Sequence, residues 1–340
     1  MTRVIRPTIV DIAKRANVST GAVSYALNGL PGVSSETRQR ILNIAEDIGW
    51  RPSSAARSLS VSRAHAVGMI LARSPETWGV EPFFMRFMAG LEAELSSRGT
   101  ALMLQVVDDH RASVEATRRW WAERRIDGLV VTDLWETDIR VPVIEKLGVP
   151  AVLVGRPRPD SVLTSVWSDD AAAVTSVVDY LVALGHRRIV RVAGLPDLEH
   201  TQIRSRAFTA AMKQHGLTDP EVIITDYSWE DGARATRALL TRPTRPTAIA
   251  FDNDIMAVAG LGVAREVGID VPEQLSLVAG DDSQLCAMLH PALTSLSRDI
   301  SAYGVHTART LMDLIEGKKP SSYQDITAQL VVRASTASIS

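Results

Sequence analysis

Residues 8–29 read TIVDIAKRANVSTGAVSYALNG. The stretch spells two short helices joined by a tight turn. Thr8 stands three residues before Asp11, the spacing of a capping box, and opens the first helix. Ile9, Ile12 and Ala13 give that helix one apolar face. Ala16-Asn17-Val18 breaks it, and Ser19 caps a second helix that passes through Val23 and Leu27 and stops at Asn28-Gly29. Two helices of this length cannot bury a core alone, so a third must close them. Ser34 and Glu36 start it, Ile41, Leu42, Ala45 and Ile48 line it, and Gly49 ends it.

The outward face of the second helix carries Ser19, Thr20, Gly21 and Ala22, with Tyr25 one turn on. Small and hydrogen-bonding groups of this kind suit close approach to base edges in a major groove. The same residues also fit an ordinary three-helix domain with a polar surface. Charge favours DNA. Residues 1–65 hold nine Lys and Arg against four Asp and Glu, a formal +5, and the overall −2 leaves −7 on the remainder. A basic head suits contact with phosphate, and an acidic body does not.

With 340 residues, 46% of them hydrophobic, the chain can hold more than one domain. No apolar run approaches membrane-spanning length, and residues 1–10 lack the apolar stretch of a secretory signal, so a cytoplasmic, nucleoid-associated protein without a membrane partner is expected. The single cysteine, Cys286, excludes an internal disulfide and reads as a small buried hydrophobe.

Beyond residue 66 strands alternate with helices. Strands read at 67–72, 102–107, 128–131 and 151–154, with helices near 84–97, 113–124 and 139–147. After Trp167-Ser168-Asp169-Asp170 the alternation restarts: helix 172–184, strand 189–193, helix 203–215, strand 222–225, helix 231–240, strand 248–251, helix 254–267 and strand 275–279. Alternation of this kind implies parallel sheets with right-handed crossovers. Two such runs imply two doubly wound lobes.

The order of these parts, with the linker RPSSAARSL at 51–59, resembles the lactose/galactose repressor family of bacterial transcription regulators over nearly the whole chain. The resemblance implies an α/β protein with an N-terminal helix-turn-helix domain at 1–51, a hinge helix and linker at 52–65, and an effector-binding and dimerisation domain at 66–340. That body is expected to resemble the periplasmic sugar-binding proteins. The chain would cross between lobes near 162–167, 293–297 and 322–326, giving lobe 1 residues 66–162 and 297–322 and lobe 2 residues 163–296 and 323–335. Paired hinge helices, with Ala56 and Leu59, are implied to enter the minor groove, Leu59 as a wedge between base pairs. The expected DNA-facing set is then Thr8, Ser19, Thr20, Gly21, Ala22, Tyr25, Asn28, Ala56 and Leu59. The implied partners are a palindromic double-stranded operator and a second copy of the chain.

Enzyme signatures are missing. Gly260-Leu261-Gly262 resembles half a dinucleotide motif, but Arg265 replaces its last glycine and the run reads as helix interior. There is no nucleophile elbow, zinc-protease motif or P-loop, and the seven histidines lack ligand spacing, so no catalytic residue, metal or cofactor is expected. The pairs Asp108-Asp109, Asp169-Asp170 and Asp281-Asp282 suit helix caps or polar-ligand sites.

The resemblance further implies a small-molecule site between the lobes. Arg204, in IRSRAF, stands where the family places an arginine that forks onto ligand oxygens, although Ala207 replaces the usual glycine. Asn253 in FDND and Asp281 in AGDD match an asparagine and an aspartate of the ligand site, while Gly280 has lost an aromatic. Tyr227 takes the place of an aromatic flanking the ligand, with Trp229 as the competing position, and Phe84 and Trp167 are expected as aromatic walls. Trp78 and Trp135 fall on loops after first-lobe strands and are expected to face the same cleft. Arginine, amide, carboxylate and aromatic groups together point to a saccharide effector, with a purine as the alternative. Whether ligand releases or recruits DNA is left open by the sequence.

Overall fold

The computed structural model describes residues 7–51, 63–73 and 82–339. The expected hinge contacts Ala56 and Leu59, and Trp78, lie outside the described residues. The chain divides into two compact units, Met1–Ala64 and His65–Ser340.

The first unit holds α1 (Ile9–Ala16), α2 (Thr20–Leu27) and α3 (Ser35–Asp47). The Thr8 amide and hydroxyl both donate to one Asp11 oxygen, at 2.8 and 2.7 Å, which satisfies an orphan donor at the start of α1. Asn17 ends that helix in the left-handed region at φ 53°, a conformation asparagine tolerates. Ser19 and Ser34 then accept from the amides of Ala22 and Thr37, each at 3.2 Å, and so start α2 and α3. The three helices close on Ile12, Ala13, Ala16, Val23, Ala26, Ile41 and Ala45. Ile9 and Leu42, expected on that face, instead stand 38% and 39% exposed. Leu42 lies about 100° around the helix from Ile41, and Ile44 packs against the core instead.

The second unit contains two six-stranded sheets. The first uses β1 (Ala66–Ala72), β2 (Ala101–Val107), β3 (Gly128–Val131), β4 (Ala151–Val154), β5 (Thr164–Trp167) and β11 (Tyr323–Gln324), in the order β11-β5-β4-β3-β1-β2. The second uses β6 (Ile189–Ala193), β7 (Glu221–Ile224), β8 (Ala248–Phe251), β9 (Ser276–Ala279), β10 (Thr294–Ser297) and β12 (Gln329–Val331), in the order β12-β10-β9-β8-β6-β7. Among the described strands only the β10–β12 pair is antiparallel. These are the two doubly wound lobes read from the alternation.

Side-chain parity splits each sheet between two cores. On β1, Val67, Met69 and Leu71 face α4 (Pro82–Ser97) and α12 (Ile300–Ile315). Ile70 faces Trp120 of α5 (His110–Ala122) and Ile144 of α6 (Arg140–Leu147). In the second lobe, Val190 and Val192 meet α9 (Trp229–Leu240) and α10 (Asp254–Glu266), while Ile189 meets α7 (Asp170–Ala183) and α8 (Glu199–Gln214). The helices α4 and α12 touch backbone to backbone: a Cβ on Gly90 would collide with the Ser301 carbonyl. Gly260 and Gly262 lie inside α10, where Gly260 accommodates the Phe251 ring, consistent with the failed dinucleotide match. Cys286, on the short α11 (Gln284–Met288), is fully buried.

The expected lobe boundary needs correction. Residues 164–167, assigned to the second lobe, form β5 and pair with β4, Leu153 opposite Ser165, so they belong to the first sheet. Likewise Tyr323–Gln324 pairs with β5 rather than starting the second lobe's return. A short buried strand looks the same whichever sheet receives it, because periodicity reports burial and not the neighbour.

Candidate functional site

The C-terminal ends of the strands in the two sheets face one another across a cavity of about 90 Å³. This is where open α/β sheets present loops to ligands. Arg73 immediately follows β1 and Asp133 lies two residues beyond β3. The Arg73 guanidinium forks onto the Asp133 carboxylate at 2.7 and 3.0 Å, and both side chains are buried. Burial, the largest influence, would raise the Asp133 pKa, but the charge and hydrogen bonds of Arg73, with the charge of Arg140 nearby, together outweigh it and hold the carboxyl below the usual range. The same guanidinium lies 5.1 Å from the Tyr227 ring and 5.2 Å from the Phe84 ring, one from each lobe.

The second lobe supplies a matching pair. Arg204, in the second turn of α8, donates to Asp170 Oδ1 through Nε and Nη2 at 3.1 and 2.8 Å. Burial opposes the charge on Asp170, yet Arg204 and then Arg298 keep it ionised. Tyr227 follows β7 with φ at 72°, a left-handed turn that carries its ring into the cavity. Its hydroxyl shares hydrogen bonds with His200 Nε2 and Thr201 Oγ1, both 2.9 Å. Burial, then the charge of Arg204, draws the His200 pKa down to about 4, so this imidazole is neutral near pH 7. Asp252, at the end of β8, borders the cavity but is occupied by Arg191 at 2.8 and 2.7 Å.

One side of the cavity is closed by backbone bonds between lobes. The Glu199 amide, at the start of α8, donates to the Leu134 carbonyl at 2.7 Å, and Trp135 and Leu198 form an isolated antiparallel bridge. Arg206 of α8 reaches Glu136 at 3.2 Å.

On the first unit, α2 leaves Thr20, Gly21 and Tyr25 exposed and Ala22 half-buried. One edge of the Tyr25 ring lies beside Gly32, which sits at φ 110°. Ser19, Asn28 and Thr8 are exposed while holding helix ends; Asn28 Nδ2 donates to the Ser24 carbonyl at 2.9 Å.

Residues 8–53 match the sequence model of bacterial regulatory proteins of the lacI family, and residues 178–336 match the periplasmic binding protein-like domain. The HTH-type transcriptional regulator CelR of Thermobifida fusca is 30% identical over 324 residues, 94% of each chain. The chain belongs to the LacI family. The HTH-type transcriptional repressor PurR of Klebsiella pneumoniae is likewise 30% identical, over 335 residues and 97% of each chain. A solved CelR–cellobiose complex superposes with a TM-score of 0.73 at 28% identity, over 97% of this chain and all of that one. The lac repressor dimer bound to operator and the anti-inducer ONPF shares the fold, with a TM-score of 0.86 at 22% identity over 98% of this chain and all of that one. Among the described residues no helix is long and apolar enough to cross a membrane.

For this LacI-family chain the cavity brings together Phe84, Arg204, Tyr227 and Asp281 of the expected ligand residues. Two others are placed elsewhere. Asn253 is buried as the N-cap of α10: its Oδ1 accepts from the Met256 amide at 2.8 Å and its Nδ2 donates to the Tyr227 carbonyl at 3.0 Å. Both halves of the amide hold local structure, so it does not line the cavity. Trp167 ends β5 on the opposite side from the core residue Val166 and carries the Arg156 guanidinium 5.2 Å from its ring. Trp135 packs against His110, ring centroids 4.1 Å apart and planes tilted by 39°, and is not among the residues lining the cavity. Trp229 is 55% exposed at the start of α9, whereas Tyr227 lines the cavity.

Sequence reading gave no site role to Arg73, Asp133, His200 and Arg298 and named Asp170 only within a pair suited to helix caps or polar-ligand sites; all five line the cavity. The available signal was position, since four of the five stand within three residues of the C-terminal end of a strand in the first or second sheet. His200 had no such signal. Its helix starts at Glu199, four residues earlier than the apolar pattern indicates, behind Leu198, which has no capping side chain.

Proposed function

We propose that this protein is a repressor whose affinity for a palindromic operator is set by a saccharide bound in the cavity between the two lobes. The reading is carried by the composition of that cavity. Two arginine–aspartate pairs, Arg73–Asp133 and Arg204–Asp170, stand beside the rings of Phe84 and Tyr227. Fixed guanidinium and carboxylate groups bond sugar hydroxyls as donors and acceptors, and aromatic rings suit the apolar faces of a pyranose. The bound cellobiose of the CelR structure supports a sugar here too. Operator contacts are assigned to the exposed start of α2, with Thr20, Gly21, Ala22 and Tyr25 facing bases and Thr8, Ser19 and Asn28 facing phosphate or sugar.

The ligand acts by its differential affinity for two lobe arrangements. Groups from both lobes surround it, so binding biases the bonds that cross the cleft, including Glu199 to Leu134. In a dimer that change is passed through residues 52–65 to the two DNA-binding heads.

The test is a thermal-shift screen of mono- and disaccharides against purine bases and nucleosides, with operator binding measured for each compound that binds. A saccharide that raises the melting temperature by mass action and changes operator affinity is the expected result. A response to purines alone overturns the saccharide reading.

A further inference from the structure

The four arginines that border the cavity are not equivalent. Arg73 and Arg204 are hydrogen-bonded to Asp133 and Asp170. Arg156 lies 3.8 Å from Asp169. Arg298, the residue after β10, is different. Its guanidinium lies 5.4 Å from the ring centres of both Phe83 and Tyr303, and among the described residues no carboxylate comes within ion-pair distance of it. It borders both the main cavity and a small annex beside Gly280. Of the carboxylates that border the cavity with it, Asp170 is committed to Arg204 and Asp252 to Arg191.

Two aromatic faces fix the guanidinium and leave its five N–H donors to be satisfied from the cavity. Sugar hydroxyls accept such bonds one at a time and bring no charge. A planar carboxylate or a phosphate accepts two in parallel and neutralises the cation. Resting on the saccharide reading above, we infer that the effector is an acidic sugar whose carboxylate or phosphate binds Arg298.

The experiment measures binding to the full-length protein by calorimetry. The probes are glucose, galactose and cellobiose; glucuronate, galacturonate and cellobiouronate; the methyl esters of these uronates; and the 6-phosphates of glucose and galactose. At least one acid is expected to bind about ten- to a hundredfold more tightly than both its neutral parent and, for a uronate, its ester, the scale of a charge-assisted hydrogen bond. The uronate and phosphate arms separate the two sources of charge. Arg298→Gln should remove most of that preference, and Arg298→Lys should keep part of it, with melting temperature confirming that each variant is folded. Equal or better binding of the neutral sugars overturns the inference and leaves the saccharide reading standing. Binding of none of these sugars overturns both. A preference for the acid that survives unchanged in Arg298→Gln overturns the assignment to Arg298.

Discussion

Asp133→Asn isolates the contribution of a buried charge. Asp133 sits at φ 51°, where asparagine is tolerated and alanine is strained, so the amide changes charge with little backbone cost. The side chains of Arg73 and Asp133 are 4% and 8% exposed, so water cannot replace the lost partner. Removing one member of a buried ion pair costs about 3–5 kcal/mol. For a unit of this size each kcal/mol moves the melting temperature by about 2–4 °C, so a fall of roughly 6–20 °C is expected. The sign with pH follows from the direction of the shift. Unfolded, an aspartate titrates at about 3.9, and Asp133 titrates lower in the folded protein because its charge and hydrogen-bond contacts, those of Arg73 foremost, together outweigh burial. Its stabilisation is complete above the unfolded value and is lost as pH falls through the folded one. Urea or thermal unfolding of both proteins should therefore show a constant gap from about pH 5 to 7 that closes below about pH 4. A gap under about 1 kcal/mol at neutral pH, the range of an exposed pair, would refute the argument.

Four further outcomes are expected. Arg204→Ala and Asp281→Asn should each abolish the effector response in an operator-binding titration while operator affinity without ligand persists; an unchanged effector titration removes both from the site. Asn253→Ala should lower stability by about 0.5–2 kcal/mol through loss of the α10 cap, read by urea unfolding, and any effect on effector affinity should follow from displacement of Tyr227. Tyr25→Arg should shift the preferred base at one operator position in a selection from random DNA, since arginine forks onto guanine and tyrosine does not. Operator affinity should fall steeply with salt in a fluorescence-anisotropy titration, because the +5 head releases counterions, and a flat dependence would refute phosphate contact.

The sequence by itself determined the local elements and much of their order. Thr8, Ser19 and Ser34 start helices through bonds to amides or side chains three residues on, and such signals need no tertiary context. The alternation of strands and helices likewise dictated two parallel sheets, because a parallel connection must cross over. Tertiary structure decided what local patterns cannot encode. Residues 164–167 are a buried strand in either lobe, and only pairing with β4 placed them in the first. Asn253 stands at a strand end, as a ligand residue should, yet folding turned its amide onto the Met256 amide and the Tyr227 carbonyl. Arg73 and Asp133 lie 60 residues apart and acquire their meaning only when parallel neighbours bring two strand ends together. Arg298 reads as an ordinary polar residue until Phe83, from a distant helix, and Tyr303, one turn along the chain, close around it. A side chain's chemistry is local, whereas its partner, its burial and therefore its charge state are properties of the packed chain.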